Sequence, residues 1–233
     1  MDSFTDIFQQ AFALVVSGDT ALWTIIWVSV KVSLTALLIA TPLALIIAFI
    51  LAFTRFIGRR LIISSFNVLL AFPSVVVGLI VYLLLARHGL LGDLQLLFTQ
   101  SAMVIGQVFL CIPILVAMGH AALQAADRRA WETAITLGAP PWRAMLTLMY
   151  EVRFALIATV IAGFSRIISE VGSAMMVGGN ILGYTRNITT AIALETSKGE
   201  FAQGVALGII LLAIALLLNL CLVFFQGRGQ IHS

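Results

Sequence analysis

Apolar residues run in five long blocks along the chain, and short polar stretches separate these blocks. A helix needs about 20 residues to cross the hydrocarbon core of a bilayer, and all five blocks reach that length. The pattern therefore predicts five membrane-spanning helices. Their expected positions are residues 22–53, 61–86, 101–123, 154–177 and 205–225. The first block is overlong and contains Pro42, which predicts a kink or a strong tilt.

The residues before the first block mix apolar and polar side chains in a way typical of a short helix lying in the membrane interface. We divide the chain into this interfacial segment (residues 1–20), one transmembrane domain (21–226) and a short cytoplasmic tail (227–233). The N-terminus is acidic and carries no basic leader region, so we expect no cleavable signal peptide.

Composition supports the same class. The chain of 233 residues is 61% hydrophobic and 10% charged, whereas soluble domains are about 25% charged. An all-α integral membrane protein is therefore expected. Cys111 and Cys221 both lie inside apolar blocks, which gives no support to a disulfide or a metal site.

Basic residues predict the orientation. One set of loops holds eight of them and the other set holds three, while two more lie within the blocks. Because loops rich in Lys and Arg stay in the cytoplasm, we expect the N-terminus outside and the C-terminus inside. Lys and Arg residues placed in loops in this way indicate membrane topology and not nucleic-acid binding.

The longest polar interruption, residues 127–153, is expected on the cytoplasmic side. It reads as a helix, a stop and a second helix, because Gly138 suits the left-handed residue that ends a helix. Pro140 favours an extended residue before it, and Pro141 suits the first position of a new helix. A simple connector needs only a few residues, so two short helices at a fixed angle indicate a docking element. A plain connecting loop is the alternative.

Within this interruption, Glu132, Thr133 and Ala134 are followed by Gly138. The spacing resembles the EAA loop of type I ABC-importer permeases, the membrane subunits that dock on cytoplasmic ATPases. Farther along, Gly163, Arg166, Glu170 and residues 179–186 resemble the oxyanion branch of these permeases, which serves molybdate, tungstate and sulfate. Residues 190–201 are most similar to tungstate-type permeases.

The resemblance implies a type I ABC-importer permease fold, with residues 124–153 as the coupling loop. It also implies the residues that contact the ATPase. These are Arg128, Arg129, Glu132, Thr133, Ala134, Gly138 and Arg143. The chain has no phosphate-binding Gly-x4-Gly-Lys-Ser/Thr loop, so we expect no catalytic residues and no cofactor here, with ATP and magnesium on the partner ATPase.

Three residues of the charged types Lys, Arg, Asp and Glu lie within the blocks, namely Lys31, Arg166 and Glu170. Each costs roughly 2.5–3.5 kcal/mol at the membrane centre unless it is partnered. Arg166 and Glu170 are one helical turn apart on one face, and Lys31 is expected at a similar depth. We predict one cluster of net charge plus one. It either attracts a dianion into the translocation path or only locks two spans together.

The outer loop, residues 178–204, is the candidate gate or docking site for an external binding protein. Its glycines suit a backbone that exposes N–H groups to an oxyanion, and its acidic residues suit a basic partner. An ordinary exposed loop with a short helix is the alternative. The candidates are Gly179, Asn180, Gly183, Arg186, Glu195 and Glu200.

Together with the predicted spans, the resemblance implies the permease of an ABC importer in the prokaryotic inner membrane, carrying tungstate first and molybdate second. A pore between five helices of one small chain would be thin-walled, so a homodimer with its path on the two-fold axis is expected. The expected partners are two ATPase subunits, an extracytoplasmic oxyanion-binding protein and membrane lipid. The alternative is a secondary transporter or channel for a small anion, driven by an ion gradient, with Glu170 as the coupling carboxylate.

Overall fold

The computed structural model describes residues 4–230, without the side chains of Phe4, Arg128 and residues 226–230. Throughout this part of the chain the regular structure is helical, which confirms the predicted class. The helices are α1 Phe4–Ser17, α2 Thr20–Phe53, α3 Arg59–Leu70, α4 Ser74–Leu85, α5 Gln100–Gln124, α6 Arg128–Thr136, α7 Pro141–Glu151, α8 Arg153–Ile168, α9 Gly172–Gly178, α10 Ile188–Lys198 and α11 Phe201–Gln230. A single 3-10 turn, Gly92–Leu94, lies between α4 and α5.

Three of the described helices are long and apolar enough to cross a membrane by themselves: α2, α5 and α11 over Phe201–Phe225. Two pairs of shorter helices, α3 with α4 and α7 with α8, pass the same test only when each pair counts as one span, which raises the number to five. The second of these pairs is bent by 76°. Helix α2 continues through Pro42 without interruption.

The block at residues 61–86 is not one continuous helix, because it is interrupted between Leu70 and Ser74. Pro73 occupies the N-cap of α4 with an extended backbone (φ −62°, ψ 127°). A proline disfavours the helical conformation in the residue before it and brings no N–H of its own. Its carbonyl instead accepts the first bonds of α4, from the N–H groups of Val76 and Val77.

The block at residues 154–177 is also interrupted, between the end of α8 at Ile168 and the start of α9 at Gly172. Close packing of α9 on α4 accompanies this break. A Cβ on Gly172 would lie 2.7 Å from Cγ2 of Val75, and a Cβ on Gly78 would lie 2.7 Å from Cα of Ser173. Small residues at such crossings let helix backbones approach one another in a membrane.

By its contacts the chain divides into two compact units. The first comprises the chain up to Ala36, Pro73–Leu110 and Ser165–Leu217. One of its cores joins residues from α2, α4, α5 and α9, namely Val28, Val32, Val81, Leu85, Ala102, Met103, Ala174 and Val177. Another joins α1, α2, α10 and α11 through Ala11, Leu22, Ile25, Ile26, Ile188, Ala191, Ala206 and Leu207.

The second unit comprises Leu37–Phe72, Cys111–Phe164 and the chain from Leu218 onward. Its core is formed by Ala48, Ala52, Leu123 and Leu148, with partly buried neighbours from α2, α6 and α7. The segment 124–153 is therefore packed on the end of α2 within this unit.

The predicted interfacial segment contains α1, whereas its first three residues lie outside the described part. One face of α1 packs on the protein through Ala11, Leu14 and Val15, while Phe12 and Val16 on other faces are exposed. Amphipathic packing of this kind is compatible with the predicted interfacial position, which stays a prediction. At the other end, α11 continues through Gln230 into the predicted tail.

Candidate functional site

The segment between α6 and α7 forms the predicted helix stop. Gly138 has φ +83°, its N–H donates to the carbonyl of Ile135 at 2.9 Å, and the N–H of Ala139 donates to the carbonyl of Ala134 at 3.0 Å. These two bonds are the Schellman arrangement, in which a left-handed residue lets the chain satisfy the last carbonyls of a helix. The angle between α6 and α7 is thus defined by hydrogen bonds.

Both helices also begin at well-defined caps. The Asp127 carboxylate accepts the N–H of Arg129 at 2.9 Å and caps α6, a role that the sequence interpretation did not assign. Pro141 occupies the first turn of α7 after the extended Pro140, as predicted. Ala144 and Leu148 then bury one face of α7.

Most of the predicted ATPase-coupling residues lie at the surface of this element. Arg129, Glu132, Thr133, Gly138 and Arg143 are exposed, and Ala134 is half-buried. The side chain of Arg128 lies outside the described residues. Within the described part, the ion pairs involve other residues, so Arg129, Glu132 and Arg143 form no salt bridge there.

An apolar surface accompanies these charges, and sequence reasoning missed it. Leu137 is 82% exposed, and large side chains along α7 are exposed as well. The others are Trp142, Leu146 and Tyr150, and the guanidinium of Arg143 lies 5.1 Å from the ring centroid of Trp142. Exposed aromatic and aliphatic groups next to free charges are typical of a docking surface.

An aromatic cluster holds α6 against α2. The ring centroid of Trp131 lies 5.5 Å from that of Phe49 and 5.3 Å from that of Phe53, and the two phenylalanines stack at 4.9 Å. Sequence reasoning did not identify this contact, since α2 precedes Trp131 by a long stretch of chain.

Of the three intramembrane charges, the structure brings two together. Nη1 of Arg166 lies 2.7 Å from Oε2 of Glu170, and Oε1 of Glu170 accepts the N–H of Ser173 at 3.3 Å. The Glu170 side chain is 3% exposed, whereas that of Arg166 is 42% exposed. The Thr189 hydroxyl donates to the Glu170 carbonyl at 2.7 Å, so this residue also holds α10 against the break before α9.

Lys31, the third charge, is held elsewhere. Its Nζ donates to Oε1 of Gln100 at 3.0 Å, and Nε2 of Gln100 donates to the carbonyl of Tyr184 at 2.7 Å. This chain of bonds connects α2, α5 and the outer loop. Gln100 is neutral, and no carboxylate among the described residues forms an ion pair with Lys31.

The outer loop is a folded turn with exposed apolar tips. Gly179 (φ +68°) and Asn180 (φ +51°) both have left-handed backbones, and a Cβ on Gly179 would lie 2.7 Å from Cδ1 of Phe98. The Thr185 hydroxyl accepts the N–H of Ile181 at 2.9 Å and donates to the Gly178 carbonyl at 2.6 Å. Gly183 (φ +73°) lies between the exposed Leu182 and Tyr184.

The charged candidates of the outer loop fall into two groups. Glu195 is buried and binds two cations, Arg186 at 3.5 Å and Lys198 at 3.2 Å. Glu200 is exposed beyond the end of α10. The predicted surface role therefore suits Glu200, whereas the position of Glu195 is that of a residue stabilising the loop. Helix α10 itself begins at a capping box formed by Asn187 and Thr190.

A family model described as "binding-protein-dependent transport system inner membrane component" matches residues 40–228. The matched region includes α6, α7, the Arg166–Glu170 pair and the outer loop, but it begins after Lys31.

Several relatives have been named as permeases for tungstate or for an anion. The chain is 37% identical to a tungstate uptake system permease protein of Peptoclostridium acidaminophilum over 97% of its own length and 99% of that protein. It is 47% identical to the protein of the same name from Campylobacter jejuni, over 64% of this chain and 63% of that protein. A probable anion ABC transporter permease of Haloferax volcanii is 39% identical over 74% of this chain and 77% of its own length.

Among solved structures, the fold is similar to a crystal structure of an amino acid ABC transporter with histidines. The TM-score is 0.65 at 19% identity, and the match covers 93% of this chain and 98% of the other. Similarity at this identity concerns the fold alone.

Proposed function

We propose that this chain, which belongs to the family of binding-protein-dependent transport system inner membrane components, is the membrane-spanning permease subunit of an ABC importer for tungstate. Molybdate is the second substrate. The observation that carries the proposal is the element formed by α6 and α7, which turns at Gly138 and packs on α2. Its outer face presents exposed apolar groups and charges that form no ion pair among the described residues. A cytoplasmic ATPase would bind this face.

The energy for transport comes from that partner. ATP and magnesium bind to the ATPase, and this chain is not an enzyme. The Trp131 ring lies on Phe49 and Phe53 near the end of α2, so a displacement of α6 by the ATPase acts directly on a membrane-spanning helix. Glu132, Arg129 and Arg143 supply the charged contacts, with Arg128, Thr133 and Ala134 beside them.

The five spans are α2, the pair α3 and α4, α5, α8 with α9, and α11, with the N-terminus outside and the C-terminus cytoplasmic. Helices α6 and α7 then lie on the cytoplasmic side. This orientation puts eight basic residues of the loops on the cytoplasmic side, as the positive-inside rule requires. Two copies of the chain form the permease, and the path lies between them.

The exposure of Arg166 supports the proposed path. A charged side chain facing lipid at this depth is costly, so the free part of its guanidinium faces water or the second copy. The carboxylate of Glu170 offsets the positive charge of Arg166. The ammonium group of Lys31 binds only the neutral amide of Gln100, so its charge is not offset by that partner. The surplus of one positive charge favours entry of a dianion.

The outer loop docks the binding protein. Its exposed Ile181, Leu182 and Tyr184 supply apolar contacts, and Glu200 supplies a charge for a basic rim on that partner. The ion pairs of Glu195 with Arg186 and Lys198 hold the loop in shape for this contact. Gly179, Asn180 and Gly183 permit its turns.

Transport in vesicles tests the proposal. The chain is reconstituted with a candidate ATPase and a candidate binding protein, and vesicle tungsten is measured by mass spectrometry. We expect uptake only when ATP and binding protein are both present, with competition by molybdate. Uptake by this chain alone in response to an ion gradient would instead establish a secondary transporter.

A further inference from the structure

We infer that the turn between α2 and α3 binds the phosphate of an anionic phospholipid. A cavity of about 350 Å³ lies at this turn, and its lining consists of Arg55, Phe56, Gly58, Arg59 and Arg60. Three of these five residues are arginines. None of the residues proposed for coupling, for the path or for binding-protein docking belongs to this cavity.

The backbone holds the three arginines around one space. Gly58 has φ +90° and is the N-cap residue of α3, a conformation that costs little only for glycine. The N–H of Arg59 donates to the Phe56 carbonyl at 3.3 Å, and the N–H of Ile62 donates to the Gly58 carbonyl at 3.0 Å. This tight turn brings Arg55, which follows the end of α2 at Phe53, next to the first residues of α3.

One of the arginines is fixed in place by two contacts. Nε of Arg59 donates to the carbonyl of Leu51 in the last turn of α2, where a cation is favourable. Its Nη2 lies 3.5 Å from Nε2 of the buried His120. The guanidinium is thereby oriented before any ligand arrives, which lowers the entropy lost on binding.

Among the described residues, no carboxylate balances the positive charge of this cavity. Within the same part of the chain, the side chains of Arg55 and Arg60 have no hydrogen-bond or ion-pair partner, and the guanidinium of Arg59 contacts only neutral groups. In addition, no side chain caps the N-terminus of α3. Guanidinium groups bind phosphate oxygens in a bidentate manner. The uncapped N-terminus of α3 also favours a negatively charged group such as phosphate.

The apolar neighbours of the arginines indicate that the phosphate comes from a lipid. Ile57 is 103% exposed and Leu61 is 72% exposed, and both lie beside the arginines at the end of a membrane-spanning helix. Basic groups next to outward-facing aliphatic side chains fit the boundary between headgroups and acyl chains. Ile57 and Leu61 would enter the acyl layer while the arginines hold the phosphate.

Native mass spectrometry of the purified full-length protein tests this inference. Phosphatidylglycerol or phosphatidylcholine is titrated into the wild type, the double variant R55Q/R60Q and the control R87Q, which removes an exposed arginine from the loop after α4. We expect phosphatidylglycerol to bind the wild type and R87Q similarly, and phosphatidylcholine to bind both more weakly. R55Q/R60Q should lose about tenfold or more in affinity for phosphatidylglycerol, because each basic residue near an anionic surface contributes about 1 kcal/mol.

Three results would overturn the inference. Unchanged binding of phosphatidylglycerol to R55Q/R60Q would show that Arg55 and Arg60 do not bind the lipid. Displacement of the bound phosphatidylglycerol by millimolar inorganic phosphate would show that the site binds free anions and does not need the lipid. A change of oligomeric state in R55Q/R60Q, at unchanged lipid binding, would show that the turn contacts a second copy of the chain.

Discussion

The indole ring of Trp131 lies 5.3 Å from the ring of Phe53, centroid to centroid, with 31° between their planes. Trp131 belongs to the first helix of the coupling loop, and Phe53 is the last residue of α2. The contact therefore joins the element that we assign to the ATPase to a helix that crosses the membrane.

Replacing Trp131 tests whether this contact transmits motion. Each aromatic pair contributes about 0.5–1.5 kcal/mol, so W131A should weaken the attachment of α6 to α2 by about 1–3 kcal/mol. We expect less tungstate taken up per ATP hydrolysed, while the ATPase still copurifies with the chain. W131F keeps one ring in place and should retain most of the coupling. An unchanged ratio of tungstate uptake to ATP hydrolysis in W131A would show that the contact of Trp131 with α2 does not take part in coupling.

Gly138 should be sensitive to substitution for a reason of backbone conformation alone. Among the described residues, no atom lies within 4 Å of a Cβ placed on it, but its φ is +83°. The left-handed conformation costs other residues about 1–2 kcal/mol, so G138A should lower the affinity for the ATPase several-fold. Asparagine tolerates this conformation better, so G138N should lie between G138A and the wild type. Copurification of the ATPase at increasing salt concentrations ranks the affinities of the wild type, G138N and G138A for the ATPase.

Gly208 provides the matched control. It lies inside α11, and in the described part of the chain no atom lies within 4 Å of its added Cβ, so G208A should leave ATPase binding unchanged. Equal loss in G208A and G138A would indicate a general effect of removing glycine.

The Arg166–Glu170 pair separates a structural role from a role in transport. R166M leaves the buried carboxylate of Glu170 without its cation, which we expect to destabilise the protein by about 1–3 kcal/mol. The double variant R166M/E170Q removes both charges, so its apparent Tm should recover part of that loss. Uptake should stay low in both variants if the guanidinium lines the path. Recovery of uptake along with Tm would assign the pair to packing alone.

Lys31 should affect transport more than assembly, because its described partner is the amide of Gln100. K31M should lower tungstate uptake about tenfold or more through loss of attraction for a dianion, at unchanged dimer formation and ATPase binding. K31R keeps the charge and should retain most of the uptake. Disassembly of the complex in K31M would show that Lys31 is structural.

The sequence predicted the features of this protein that depend on local chemistry. The apolar blocks located the helices, and a glycine followed by two prolines located the turn at residues 138–141, because helix ends follow rules that operate within a few residues. The i, i+4 spacing of Arg166 and Glu170 likewise predicted their ion pair.

Features that depend on the rotation and packing of helices were not accessible in the same way. Depth along a helix placed Lys31 level with Glu170, but the direction of its side chain is set by neighbours distant in the chain, and it meets Gln100 instead. The contact of Trp131 with α2 is also long-range. The interruption at Pro73 was missed although a proline marked it, because the block at 61–86 had enough apolar residues to count as one span.

The most direct test of the central claim is ATP-driven uptake by the double variant E132A/G138V, in vesicles that contain the ATPase and the binding protein. The control D93A/G208A also removes one exposed carboxylate and one glycine, both outside the coupling loop. We predict that E132A/G138V remains folded in detergent and takes up tungstate at background rate, whereas the control transports as the wild type does. Uptake by E132A/G138V at the wild-type rate would contradict the assignment of this loop to the ATPase.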